Sequence, residues 1–258
     1  MQKIVELIMS AWTMATTIAY TIALGIPTIF VSMLSRTGRA PFKIGRLWGW
    51  LIMKTNRVKI QVVGLEKIVR HKSYVFISNH ASNLDPPAII VGLKQPLRFV
   101  AKKSLAKIPI FGWAAKLARM IFIDRTDNAK AVEIINKAVR ELKGGISAFF
   151  FAEGTRSADG VLKSFKKGGV MLALKAKLPI IPITIVGSHD LLPKKAVRIR
   201  PGKIKIIVGD PIDTAPYTEA DKDLLVNKVR DVIAQTIQHS DNPHQGTDYG
   251  SVREGSGL

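Results

Sequence analysis

The sequence predicts an α/β fold, with one sheet flanked by helices and a hydrophobic element in front of it. Three observations predict it. From residue 58 onward, short β-branched and aromatic runs alternate with stretches of helical period. A chain of 258 residues without internal repeats suits one such domain with an appendage. Residues 7–35 carry no charged side chain, a longer apolar run than the ~18 residues that mark a membrane-span candidate.

The elements follow in order. Gly25 and Pro27 interrupt the apolar run, so residues 7–24 are expected as one helix and 28–34 as a bent continuation. The run is too long for a signal-peptide core, lacks an A-x-A cleavage site, and has its basic flank after it. That flank holds Arg36, Arg39, Lys43, Arg46, Lys54 and Arg57 with no acidic residue before Glu66, interleaved with Phe42, Trp48 and Trp50. Residues 41–54 therefore read as an amphipathic helix on an anionic leaflet, with aromatic side chains as interface anchors. Residues 1–57 form this membrane element, 58–239 the α/β domain, and 240–258 a polar, Gly-rich tail expected to be disordered.

Inside the domain, strands are expected at 58–63, 74–78, 97–101, 120–123, 146–151, 180–186 and 199–208. Helices are expected at 108–117, 128–143, 168–177 and 218–238, the last with Thr218 and Asp221 in a capping arrangement. The formal charge of +20 points to an anionic partner. Nucleic acid is disfavoured, because the basic residues are spread along the chain and no stacking motif accompanies them. The absence of cysteine excludes disulfides and thiolate chemistry, and no zinc, P-loop or dinucleotide motif is visible. No metal or cofactor is expected.

The stretch that carries chemistry is Ser78-Asn79-His80-Ala81-Ser82-Asn83-Leu84-Asp85-Pro86-Pro87. It places His80 on a strand-to-helix loop with a carboxylate five residues on. A carboxylate bonded to one imidazole nitrogen fixes the tautomer and leaves the other nitrogen to take a proton from a substrate hydroxyl. The competing reading makes Asp85 an ordinary N-cap of the helix that Pro86 and Pro87 open. A second stretch, Phe151-Ala152-Glu153-Gly154-Thr155-Arg156-Ser157, also follows a strand. A third, Ile121-Phe122-Ile123-Asp124-Arg125, delivers an arginine to a loop. Two guanidinium forks with a glycine and a hydroxyl suit a phosphate monoester. For Arg125 alone, a surface ion pair with Asp124 or Asp127 competes. Glu153 would repel a phosphate, which leaves binding a glycerol hydroxyl or orienting Arg156.

Asn-His-x4-Asp followed by Phe-x-Glu-Gly-Thr-Arg-Ser closely resembles the glycerolipid acyltransferases, with 1-acyl-sn-glycerol-3-phosphate acyltransferases as the most similar branch. Four blocks match in order from about residue 74 to 188, the fourth being Leu178-Pro179-Ile180-Ile181-Pro182-Ile183. The resemblance implies a mixed sheet of the glycerol-3-phosphate acyltransferase type, with His80 as base and Asp85 as its orienting partner. It further implies acceptor binding through Arg125, Glu153, Gly154, Thr155 and Arg156. The implied reaction moves an acyl chain from acyl-CoA or acyl carrier protein (acyl-ACP) to the 2-hydroxyl of lysophosphatidic acid. The implied setting is the cytoplasmic face of a bacterial inner membrane, with anionic lipids as further partners. Ala152 stands where many members have proline, and Arg119 where the second block often opens with glycine. Another lysophospholipid acceptor is the alternative within enzymes; a basic membrane-bound binding module is the alternative outside them.

Overall fold

In a computed structural model of the chain, the described residues are 2–35, 37–124 and 128–241. Two antiparallel helices, α1 (Gln2–Leu34) and α2 (Arg39–Thr55), precede a seven-stranded sheet. The strands are β1 (Val58–Val63), β2 (Val75–Ser78), β3 (Leu97–Lys102), β4 (Ile121–Ile123), β5 (Ser147–Phe151), β6 (Ile180–Val186) and β7 (Gly202–Val208). Between and after them run α3 (Asp85–Leu93), α4 (Phe111–Leu117), α5 (Asn128–Val139), α6 (Gly168–Ala176), α7 (Ser188–Leu191) and α8 (Lys222–Asp241).

The strand order is β1-β7-β6-β2-β5-β3-β4. Strands β2 to β6 are mutually parallel, whereas β7 is antiparallel to β6 and carries β1 parallel to itself. The sheet is therefore mixed, as expected. Its central strand is β2, with every residue buried. Side chains alternate across it. Tyr74 and Phe76 enter one core with Phe99, Phe149, Ile183 and Ile204, under α2 and α3. Val75 and Ile77 enter the other with Phe150, Leu172, Val229 and Ile233, under α6 and α8.

Register places Ser78 of β2 beside Phe151 of β5. The loops that leave these two strands are thus neighbours at the C-terminal end of the parallel set, where open α/β sheets hold their ligands.

Several boundaries differ from the sequence expectation. The first helix is continuous through Pro27. Pro27 is exposed, and beside it the Thr28 hydroxyl donates to the Leu24 carbonyl at 2.7 Å. Gly25 is no break either. A Cβ there would lie 2.5 Å from Ile110 Cγ2, so glycine permits close packing of α1 on the segment before α4. Helix α5 ends at Val139 rather than at 143, and Leu142 is nevertheless buried from the turn that follows. Strand β7 begins at Gly202. The Thr218–Asp221 capping box is present, and α8 runs on to Asp241, just inside the expected tail; residues 242–258 lie outside the described ones.

Among the described residues, α1 is the one helix long and apolar enough to cross a membrane. At ~1.5 Å per residue its 33 residues span about 50 Å. One side is tied to α2: the Thr13 hydroxyl donates to Asn56 Oδ1 at 3.1 Å, and Tyr20 bonds Thr55 at 2.8 Å. The opposite side leaves Ile18, Ile22, Ile26 and Phe30 exposed. Of the aromatic residues expected as anchors, Trp48 turns inward. Its indole N–H donates to the Thr21 hydroxyl at 3.1 Å, and its ring meets Phe111. Phe42 packs against the core as well. Trp50 and Leu47 stay outside, with Lys54 over the Trp50 ring.

Candidate active site

His80 stands two residues beyond the end of β2. Its Nδ1 is 2.8 Å from Asp85 Oδ2. The same oxygen accepts the main-chain N–H groups of Ala81 and Ser82, each at 2.8 Å. Asp85 is wholly buried, and Oδ1 has no hydrogen-bond partner. The carboxylate therefore folds back into the loop before its helix instead of capping α3, whose N-cap position is Leu84. Three N–H donors on one oxygen fix the turn, and the turn fixes the imidazole. With Nδ1 bonded to an acceptor, the proton sits on Nδ1 and Nε2 keeps its lone pair. The ring is stacked on Phe151, centroids 4.1 Å apart, and its side chain is 16% exposed.

The β5 loop braces this arrangement. Glu153 Oε1 accepts the His80 N–H at 2.7 Å, and Oε2 accepts the Lys163 N–H at 3.2 Å. Glu153 is only 5% exposed, and burial raises its carboxyl above the ordinary value, against the opposing pull of those two amide bonds. Both of its oxygens are thus turned to the main chain, one of them to the histidine itself. The Ser157 N–H donates to the His80 carbonyl at 2.9 Å, so the two loops are laced on either side of Arg156. Gly154 takes φ 73°, the left-handed region that favours glycine, and lets this loop turn beside its neighbour. Thr155 is exposed and Arg156 half-buried. The Arg156 carbonyl accepts from Lys194 Nζ at 3.3 Å, while its guanidinium has no partner among the described residues.

Arg125 lies outside the described residues. Strand β4, which precedes it, is three places from β2 at the sheet edge, about 14 Å along at the usual strand spacing. At its end Asp124 pairs with Lys103 at 3.3 Å.

The sequence motif contains one residue whose job the sequence did not reveal. The Asn79 amide donates to the Ile185 carbonyl and accepts the Ile185 N–H, both at 2.8 Å. It continues the β2–β6 ladder one step past the last main-chain pair and holds the start of the His80 loop on both sides. The only hint was chemical: a buried amide offers one donor and one acceptor, matching a strand's own groups. Ser82 likewise donates to the Leu192 carbonyl at 2.8 Å and accepts the Leu84 N–H at 3.2 Å.

An apolar cavity of about 120 Å³ opens between α1, α2, α4 and β3, lined by Leu24, Phe42, Trp48, Phe99 and Phe111 among others. Phe151 links it to the histidine, since its ring contacts both His80 and Phe99. Among the described residues no cluster of His, Asp or Glu could hold a metal ion.

Comparison with known proteins bears on the family and the fold. The acyltransferase family model matches residues 59–186. A 1-acyl-sn-glycerol-3-phosphate acyltransferase from Limnanthes alba is 36% identical over 202 residues, which cover 77% of this chain and 70% of that protein. The chloroplastic enzyme LPAT1 of that name from Arabidopsis thaliana is 34% identical over 69% of this chain, which spans about half (49%) of its length. The crystal structure of the 1-acyl-sn-glycerophosphate (LPA) acyltransferase PlsC from Thermotoga maritima superposes with a TM-score of 0.78 at 27% identity. That match covers 94% of this chain and 98% of the other.

Proposed function

The chain belongs to the 1-acyl-sn-glycerol-3-phosphate acyltransferase family, and on that footing we propose that it acylates the 2-hydroxyl of lysophosphatidic acid to give phosphatidic acid. The observation that carries the reading is the His80–Asp85 pair, with Asp85 Oδ2 held by two main-chain amides. His80 Nε2 removes the hydroxyl proton as the oxygen attacks the carbonyl carbon of an acyl thioester. The C–S bond breaks, the ester C–O bond is made, and the imidazolium returns its proton to the leaving thiolate. Proton, acyl group and thiol balance without a covalent acyl-enzyme. Asp85 keeps the imidazole oriented and faces its positive charge when it forms.

Arg156 is the phosphate ligand in this reading. Its guanidinium is unpaired within the described chain, and its neighbour Ser157 is bonded to the His80 carbonyl. Gly154 and Thr155 shape the same loop, and Arg125 remains proposed as a second phosphate ligand. Glu153 serves as a positioning residue through its bond to the His80 N–H. The acyl chain of the donor lies in the apolar cavity, reached along Phe151 and Phe99. Acyl-CoA and acyl-ACP are both anionic thioesters and both suit a basic surface.

The exposed apolar side of α1, with Trp50 and Leu47 of α2, supports attachment to a membrane surface that holds the acceptor. The chain's curated relatives include plant, algal and yeast proteins, and these eukaryotic sequences lend no support to the more specific address of a bacterial inner membrane.

Thioester consumption by detergent-purified protein tests the proposal. Turnover should require lysophosphatidic acid and be lost in His80→Ala; turnover of equal size without acceptor, or undiminished in the variant, would contradict it.

A further inference from the structure

We infer that the chain carries a second anion site, for a phosphate group, at the end of the sheet opposite His80. A cleft of about 330 Å³ lies where α2 begins, α3 ends and the loops enter β2, β3 and β5. Arg39, Lys43, Arg46, Arg70 and Lys94 line it together with His71, and none of its lining residues is acidic. No carboxylate among the described residues pairs with any of the five cations. Arg39 donates to the Gly144 carbonyl, which spends a donor and leaves the charge unbalanced.

Two independent features say that this charge is meant for a ligand. Arg39, Lys43 and Arg46 recur at helical spacing over the first turns of α2, which has no acidic residue in its first turn. Cations there oppose the positive end of the helix dipole, an arrangement an anion in the cleft would reverse. Arg46 Nε is also buried without any hydrogen-bond partner, and a buried unpaired donor is costly unless something else accepts from it. Arg98 and Arg198 also bury an unpartnered Nε, but Arg98 donates to the Thr37 and Ala118 carbonyls and Arg198 faces Glu6, whereas Arg46 sits in a cleft whose charged lining residues are all cations.

The chemistry selects phosphate. Guanidinium forks bind tetrahedral phosphate oxygens bidentately, and a lysine adds a point charge. Phe42, Leu93 and Pro96 supply an apolar wall beside the cations, so the phosphate can be free or be the headgroup of an anionic lipid. The site stands apart from the proposed acceptor loop, because β2 and β5 separate the two along their length. It does not rest on the acyl-transfer reading.

The test uses the full chain in detergent at low salt, carrying Arg125→Ala and Arg156→Ala so that neither proposed acceptor arginine contributes phosphate binding. Inorganic phosphate and dihexanoyl phosphatidic acid are titrated separately by calorimetry, before and after adding Arg46→Gln, Arg70→Gln and Lys94→Gln. One saturable site is expected, weakened about tenfold for each charge-assisted bond removed. Binding of phosphate and lipid alike assigns a free-phosphate site; binding of the lipid alone assigns a headgroup site. No saturable binding, or binding unchanged by the three substitutions, overturns the inference. Should the combined variant fail to fold, Lys94→Gln alone, at an exposed position, must still weaken binding about tenfold.

Discussion

Replacing Asp85 by Asn and by Ala separates its orienting role from its place in the fold. The wild-type Oδ2 accepts three N–H bonds at 2.8 Å in a fully buried position, while Oδ1 accepts none. Asn can offer its carbonyl oxygen to all three donors and put its amide where Oδ1 already lacks a partner. What it loses is charge: exchanging a charged for a neutral acceptor costs about 1 kcal/mol per bond, or about 3 kcal/mol in all. Ala removes the acceptor altogether and leaves two main-chain N–H groups buried and unpaired, a further cost of about 2–6 kcal/mol. Asp85→Asn should therefore fold, with a lowered denaturation midpoint, and Asp85→Ala should be the less stable by that margin. In turnover at saturating substrates Asn should already cost about 10²-fold or more, because the imidazolium formed during proton transfer loses its counter-charge. Urea denaturation and initial rates of thiol release on the same preparations measure both quantities. An Asn variant with wild-type turnover, or an Ala variant as stable as Asn, would refute the reasoning.

Arg156→Ala should raise the KM for lysophosphatidic acid about tenfold or more while leaving the donor KM near wild type; a rise in the donor KM alone would count against the phosphate role. Glu153→Gln replaces one of two acceptors by a donor, so the His80 or the Lys163 amide loses its partner and kcat should fall more than KM changes. Burial raises the Glu153 pKa above 4.5. The folded chain then holds that proton more tightly than the unfolded one, so wild type should gain stability over Glu153→Gln as pH falls toward 4.5. It should lose that gain as pH rises through the folded value, and denaturation of both proteins across this range reads the slope. Asn79→Leu strands both main-chain groups of Ile185 and should lower stability by about 2–4 kcal/mol, together with turnover.

The His80 loop was legible because its parts are local. A β-branched run, a histidine, a carboxylate and two prolines lie within fourteen residues, and strand-loop-helix follows from propensity alone. What Asp85 does with its side chain was not. N-cap and folded-back carboxylate share one sequence pattern, and main-chain geometry at Ala81 and Ser82 decides between them. The partners of Glu153 and Asn79 were hidden for a different reason. His80 lies 73 residues from Glu153 on a neighbouring loop, and Ile185 lies 106 residues from Asn79 within β6, each brought close only by the strand order. That order, and the reversal of β7 and β1, leave no local trace, since each strand reads equally well in either direction. Pro27 shows the opposite failure: a local breaking signal was overridden by the packing of α1 along α2 and α4. Trp48 was misplaced because amphipathic spacing cannot say which aromatic meets lipid and which meets Thr21.

The central claim is that His80 is the base for acyl transfer to a lysophosphatidic acid hydroxyl. Acceptor-dependent thiol release should fall about 10²–10⁴-fold in His80→Ala while lysophosphatidic acid still binds, as expected when a positioned general base is removed. Wild-type turnover in that variant, or release indifferent to the acceptor, would contradict the account.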